Sequence, residues 1–164
     1  NYSHPAKVSN SYASTPSSFS RVNSISKNSK SYNKAKGEKL AQKIVENLPT
    51  DRDPDNPLCA KYVKEAVQEC GLGEYINGNG EYCKNIFRAN PNFKEIKSKN
   101  FSKLPAGSVV VYDAFDKVTY PDGSTGKVGE DGHVLIALGD GRGCSDILED
   151  QIGYSKNAYS FIPV

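Results

Sequence analysis

The sequence predicts an α+β fold in which N-terminal helices pack on an antiparallel β-sheet. Two segments in the first half, about 38–48 and 57–70, repeat apolar residues at helical spacing. Strand signals dominate afterwards, at 108–113, 133–138, 144–149 and 158–162, between Gly- and Asp-rich connections. Helices first and strands afterwards is the order of an α+β domain.

Each element has a local reason. Leu40, Ala41, Ile44, Val45 and Leu48 fall on one face of the first helix, and Pro49 ends the pattern. The second helix is expected from Pro57 to Cys70. Asn56 serves as N-cap, Pro57 suits the first helical position, and Gly71 suits the C-terminal cap. Cys59, Val63, Ala66, Val67 and Cys70 share one face of it. A short helix is expected near 83–88, after the Gly78 and Gly80 loop, and 114–132 reads as a long loop.

A chain of 164 residues supports one domain with an appended tail. Residues 1–36 are rich in Ser, Asn and Lys, show no period and bury too little to offset ordering entropy. They read as a disordered basic tail or linker, with residues 37–164 as the folded domain. Residues 1–39 carry seven basic side chains (Lys7, Arg21, Lys27, Lys30, Lys34, Lys36 and Lys39) against the single acid Glu38. The tail could touch an anionic surface, but a solvated linker is the expectation. The net charge of +2 and the lack of basic and aromatic interleaving in a folded element argue against a nucleic-acid reader. No apolar run approaches the roughly 20 residues of a membrane span. The chain starts at Asn1 and has no Met, so a processed product is expected.

Four cysteines are present, Cys59, Cys70, Cys83 and Cys144, and none forms a C-x-x-C pair. Metal-knuckle and thioredoxin chemistry therefore lack support. Cys70 with Cys83 is the nearest pair for a disulfide if Cys59 stays free, although spacing alone does not establish a bond.

Cys59 is the candidate nucleophile. In the first turn of the second helix it meets unpaired backbone N–H groups and the positive end of the macrodipole, which favour thiolate. Those same groups can donate to an oxyanion. His133 is the candidate base, because the other histidine, His4, lies in the tail. A two-residue Asp140-Gly141 turn would set Leu135 opposite Asp146 and Ala137 opposite Cys144. Asp146 then shares the His133 face and can fix the imidazole tautomer. A one-residue slip would exchange Asp146 for Ser145.

Four motifs in this order resemble the CHAP and NlpC/P60 families across about residues 40–164. They are Cys-Ala-Lys-Tyr-Val at 59–63, Leu-Pro-Ala-Gly-Ser-Val-Val-Val-Tyr at 104–112, Gly-His-Val-Leu-Ile-Ala-Leu-Gly-Asp-Gly at 132–141 and Tyr-Ser-Phe-Ile-Pro at 159–163. The resemblance implies a papain-like fold of NlpC/P60 or CHAP type. It also implies a thiol hydrolase that cuts peptide or amide bonds of bacterial peptidoglycan, as amidase or endopeptidase, with Cys59, His133 and Asp146 as its residues. Such a protein would be a phage lysin or a secreted antibacterial effector, acting at the bacterial cell envelope. The tail would link it to a delivery or wall-binding module. The sequence departs from the pattern at Leu58 and Ser108, where these families usually carry Asp, and it has no Trp.

No cofactor is expected. Some CHAP lysins hold calcium in the loop matching Asp51, Asp53 and Asp55, and hard carboxylates suit that ion. No downstream Glu or central Gly completes an EF-hand pattern, so a solvated acidic turn is the expectation. Two other readings share these residues: a papain-like toxin that deamidates, crosslinks or cleaves a protein target, and a non-enzymatic secreted binding module whose cysteines are structural.

Overall fold

The computed structural model describes residues 31–55 and 57–164. Three helices come first: α1 (Lys34–Glu46), α2 (Cys59–Glu69) and α3 (Cys83–Ala89). Eight strands follow: β1 (Phe93–Ile96), β2 (Val109–Tyr112), β3 (Lys117–Thr119), β4 (Thr125–Lys127), β5 (His133–Ala137), β6 (Gly143–Cys144), β7 (Leu148–Glu149) and β8 (Tyr159–Pro163). Six of them form an antiparallel sheet in the order β1-β8-β2-β5-β6-β7, and β3 pairs with β4 as a separate hairpin.

Strand alternation divides the core in two. Val109, Val111, Val134, Ile136 and Phe161 meet the helices, joining Leu40, Ile44, Val63, Val67 and Phe87. Val110, Tyr112, Leu135, Ala137 and Ile162 face the other way, onto Phe101, Leu104, Val118, Tyr120 and Ile152. Side chains on successive strand residues point to opposite faces, so β2 and β5, buried on both, read as continuous apolar runs. They pair with Val110 opposite Leu135 and Tyr112 opposite His133. The central position of β5 makes its first residue a rigid platform.

Several expectations are corrected. The 114–132 segment contains the β3–β4 hairpin, held by Tyr120 N–H to Ser124 O at 2.8 Å and by a bridge from Thr119 to Tyr154. β1 carried no alternation strong enough to mark it, and it forms by pairing with β8. The 144–149 segment is two short strands, not one. The predicted tail boundary at 36 falls inside α1, which begins at Lys34 with Asn33 as N-cap, its side chain accepting from Lys36 N–H at 3.0 Å. The reading of residues 1–30 as tail lies outside the described residues.

Residues 31–36 belong to the domain. Tyr32 donates its hydroxyl to Ala106 O at 2.8 Å, and Asn33 N–H donates to Pro163 O at 2.8 Å. Lys36 Nζ donates to Asn92 Oδ1 at 2.9 Å and Val164 O at 2.7 Å. Gly37 lies so close to residue 106 that an added Cβ would sit 2.2 Å from Ala106 O. Deleting residues 1–36 is therefore expected to lower the melting temperature by about 5 °C or more, since each lost kcal/mol shifts a domain of this size by a few degrees. Deleting only 1–30 spares these contacts and is the control in the same calorimetric experiment.

Candidate active site

The nucleophile candidate stands at the start of α2. The expected cap at Asn56 lies outside the described residues, and the N-cap is Leu58, which offers no side-chain cap bond. Cys59 is thus the first helical residue, not the third. Asp146 does the anchoring: its Oδ2 accepts the Leu58 N–H at 2.9 Å and Arg52 Nε at 3.0 Å. At the far end the prediction holds. Gly71 has φ of 71°, and Leu72 N–H closes onto Val67 O at 3.0 Å, the wrap that a left-handed glycine permits.

Facing Cys59 is His133, the first residue of β5. Both are buried, at 7% and 2% exposure. The thiol and the imidazole lie close enough for each to shift the other's ionisation. The imidazole Nε2 lies 2.8 Å from Glu149 Oε2, inside the protein. With Nε2 committed to that carboxylate, Nδ1 is the ring nitrogen left for exchange with the thiol. Tyr112 packs beside the ring with centroids 5.9 Å apart, and its hydroxyl is tied to Gly153 O at 2.7 Å. The imidazole is therefore held by a ladder, a carboxylate and an aromatic neighbour.

Electrostatics favour an ion pair. Burial works against a Cys59 thiolate, but the hydrogen bond and charge of His133, with a hydrogen bond from the Val134 backbone, more than offset it. The Cys59 pKa falls below its ordinary value of 9.0. Burial likewise opposes an imidazolium, yet the Glu149 charge and the Cys59 contact outweigh it and raise His133 to about 9. Both shifts stabilise thiolate beside imidazolium. The other thiols move the opposite way: burial raises Cys70 and Cys144 and pushes Cys83 up to about 12. All four cysteines are free, so the Cys70–Cys83 bridge does not form.

The residue expected to orient His133 was Asp146, and here the structure differs. The β5–β6 connection is a three-residue loop, Gly139-Asp140-Gly141, with Leu138 N–H bonded to Arg142 O at 2.9 Å. Both glycines adopt positive φ, 93° and 92°, while the Asp140 carboxylate gathers the Arg142 backbone N–H and guanidinium. Ala137 consequently pairs with Gly143 and Ile136 with Cys144, one residue off the expected register. The ladder then stops, because Ser145 N–H turns back to Ile147 O at 2.9 Å. That reversal sends Asp146 toward the start of α2 and brings Glu149 to the histidine. Ser145 donates to Asp146 Oδ1 at 3.1 Å and is fully buried. Burial opposes ionisation of Asp146, but the Leu58 N–H, Arg52 and Ser145 together hold its carboxyl below the usual range.

Sequence reasoning missed Glu149. The available signal was an acid directly after the apolar Ile147-Leu148 pair within a predicted buried strand, where an unpaired carboxylate is too costly to persist. The turn at 145–147, which decides the outcome, carries no Gly or Pro to announce it.

Asp51, Asp53 and Asp55 lie on the surface. Asp53 Oδ1 accepts the Asp55 N–H at 2.9 Å, a local turn bond. Among the described residues no group of three or more His, Cys, Asp or Glu side chains could hold a metal ion, and no helix is long and apolar enough to cross a membrane.

No protein-family model and no curated protein matches the chain. A solved structure does. One chain of the type VI native effector–immunity complex Tae3–Tai3 from Ralstonia pickettii superposes with a TM-score of 0.50 at 16% identity, covering 75% of this chain and 94% of that one. At that identity the likeness concerns the fold, and the fold is the α+β, papain-like one in which N-terminal helices pack on an antiparallel sheet.

Proposed function

We propose that this protein is a thiol hydrolase that cuts a peptide or amide bond in bacterial peptidoglycan. The observation that carries the proposal is the buried Cys59–His133–Glu149 array: a thiol whose pKa is lowered, an imidazole whose pKa is raised, and a carboxylate 2.8 Å behind it. A structural cysteine needs none of this, and the other three thiols have pKa values shifted upward.

In this reading the Cys59 thiolate attacks the scissile carbonyl carbon. The Cys59 backbone N–H, at the start of α2, donates to the developing oxyanion. His133 gives its proton to the leaving nitrogen as the C–N bond breaks, leaving a thioester on Cys59 and a free amine. Water then attacks the thioester while His133 takes its proton, the C–S bond breaks, and the product carboxylate departs with Cys59 restored. Glu149 fixes the imidazole tautomer and stabilises its charge, the role first expected of Asp146. Asp146 is a positioning residue that ties Leu58 and Arg52 and so aims the first turn of α2.

Peptidoglycan is favoured as substrate because the superposable fold belongs to a type VI effector–immunity complex, and because the four motifs resemble CHAP and NlpC/P60 hydrolases. The same observation supports delivery to another cell's envelope, with an immunity protein in the producing cell as the partner. Digesting purified sacculi and weighing the products tests class and bond together. An amidase releases stem peptides with a free amino terminus and leaves glycan without peptide, whereas an endopeptidase leaves shortened stems on the sugar. Sacculi unchanged by a protein whose Cys59 is reactive would overturn the substrate assignment.

A further inference from the structure

A buried lysine on the nucleophile's own helix has no role in the chemistry above. Lys64 lies five residues beyond Cys59 in α2 and is 5% exposed. Helix lysines ordinarily extend their ammonium to water. This one turns inward and donates to two backbone carbonyls, Ile76 O at 2.9 Å and Gly78 O at 2.8 Å, with the Tyr75 ring 4.6 Å from its Nζ. None of these partners is a carboxylate. Removing a full charge from water for two carbonyls and a ring is costly, so the arrangement needs a return elsewhere in the molecule.

The segment that Lys64 holds runs directly to the histidine. Residues 72–79 form no helix or strand. Two residues after Gly78, the chain presses on the start of β5. A Cβ at Gly80 would lie 2.9 Å from His133 N and 3.0 Å from its Cα, and one at Gly132 would lie 2.5 Å from Glu81 Cβ. Glu81 N–H donates to Asp131 O at 2.9 Å, and Cys83 Sγ contacts Asn79 O at 3.4 Å. A continuous path thus leads from α2 through the ammonium to Gly78, then Gly80, and onto the backbone that presents the imidazole.

We propose that Lys64 is a positioning residue: its ammonium, seated under the Ile76 and Gly78 carbonyls, locks residues 74–80 against the backbone of His133 and so sets the distance between the imidazole and Cys59. This rests on reading Cys59 and His133 as the reactive pair, and it extends that reading to the irregular segment beside them. Hydrogen-bond geometry between thiol and imidazole is steep in distance, so a loosened segment weakens the pair while the sheet and helices stay folded.

The test measures the pH dependence of Cys59 alkylation by iodoacetamide, which needs no substrate. Failure of the lysine proposal is thus separable from failure of the peptidoglycan assignment. The thiol is acted on by His133 from β5 and by the Val134 backbone, and Glu149 stands behind His133 from β7. Cys83 from α3 interacts electrostatically with both Cys59 and Lys64, so the charge-keeping Lys64→Arg separates loss of charge from loss of seating. The variants leave His133, Glu149 and Cys83 in place and change only Lys64. Lys64→Met is expected to slow alkylation at pH 6 by about 10-fold, the change that one pH unit in thiolate formation produces. Lys64→Arg, which keeps a cation for the two carbonyls, is expected to recover most of it. Should Lys64→Met not fold, Lys64→Gln retains an uncharged amide N–H donor group and carries the same comparison. A Lys64 variant that loses melting temperature but keeps the wild-type alkylation profile overturns the proposal and leaves Lys64 a packing element only.

Discussion

Replacing Cys59 with alanine is expected to reduce hydrolysis of sacculi by at least about 10⁴-fold while the protein stays folded. No other thiol can substitute, because Cys83 and Cys144 are fully buried and all three remaining cysteines have raised pKa values. Cys59→Ser is expected to fail nearly as badly, since a hydroxyl stays protonated where the thiol ionises. The pH profile of the wild-type enzyme follows from the same pair. Activity rises as pH passes the lowered pKa of Cys59 and falls as it passes about 9, where His133 loses the proton needed by the leaving group. A flat profile across that alkaline limb, or full activity in Cys59→Ala, would remove the basis for the proposed chemistry.

The second large effect separates two acids that lie three positions apart. Glu149→Gln is expected to lower turnover by roughly 10²–10⁴-fold, because an amide can hold the imidazole in place but cannot stabilise its charge. The alkaline limb should also move to lower pH, since Glu149 contributes the largest of the effects that raise the His133 pKa. Asp146→Ala should do the reverse. It leaves the Leu58 N–H and the Arg52 guanidinium without their acceptor, a loss of about 1–3 kcal/mol in stability. Turnover should drop less, and the alkaline limb should stay. Ser145→Ala removes one of the bonds holding Asp146 and should resemble a mild form of that variant. Kinetics and calorimetry on the three proteins decide the assignment: a crippled Asp146→Ala beside a fully active Glu149→Gln would return the orienting role to Asp146.

Much of the molecule is legible in the chain itself. The faces of α1 and α2 follow from apolar spacing, the stop of α2 from Gly71, and the central strands β2 and β5 from runs of Val, Leu and Ile. The candidate thiol and imidazole were read the same way: one cysteine falls in the first turn of a predicted helix, and the single histidine outside the tail opens a predicted strand. These are local properties, set by side-chain periodicity and by where backbone N–H groups go unpaired, and they survive whatever the rest of the chain does.

The identity of the third residue is different in kind. Asp146 and Glu149 are both acids in one predicted strand, and composition cannot choose between them. The choice turned on one extra residue in the Gly139-Asp140-Gly141 loop and on the reversal at Ser145, which together moved the register by one and ended the ladder early. Strand pairing has a period of two, so a slip of one residue exchanges every face. The sequence by itself determined the fold class, the nucleophile candidate and the imidazole beside it. Only the tertiary structure decided which carboxylate stands behind the imidazole, what anchors the helix that carries the thiol, and that Lys64 is buried, because each depends on contacts between segments far apart in the chain.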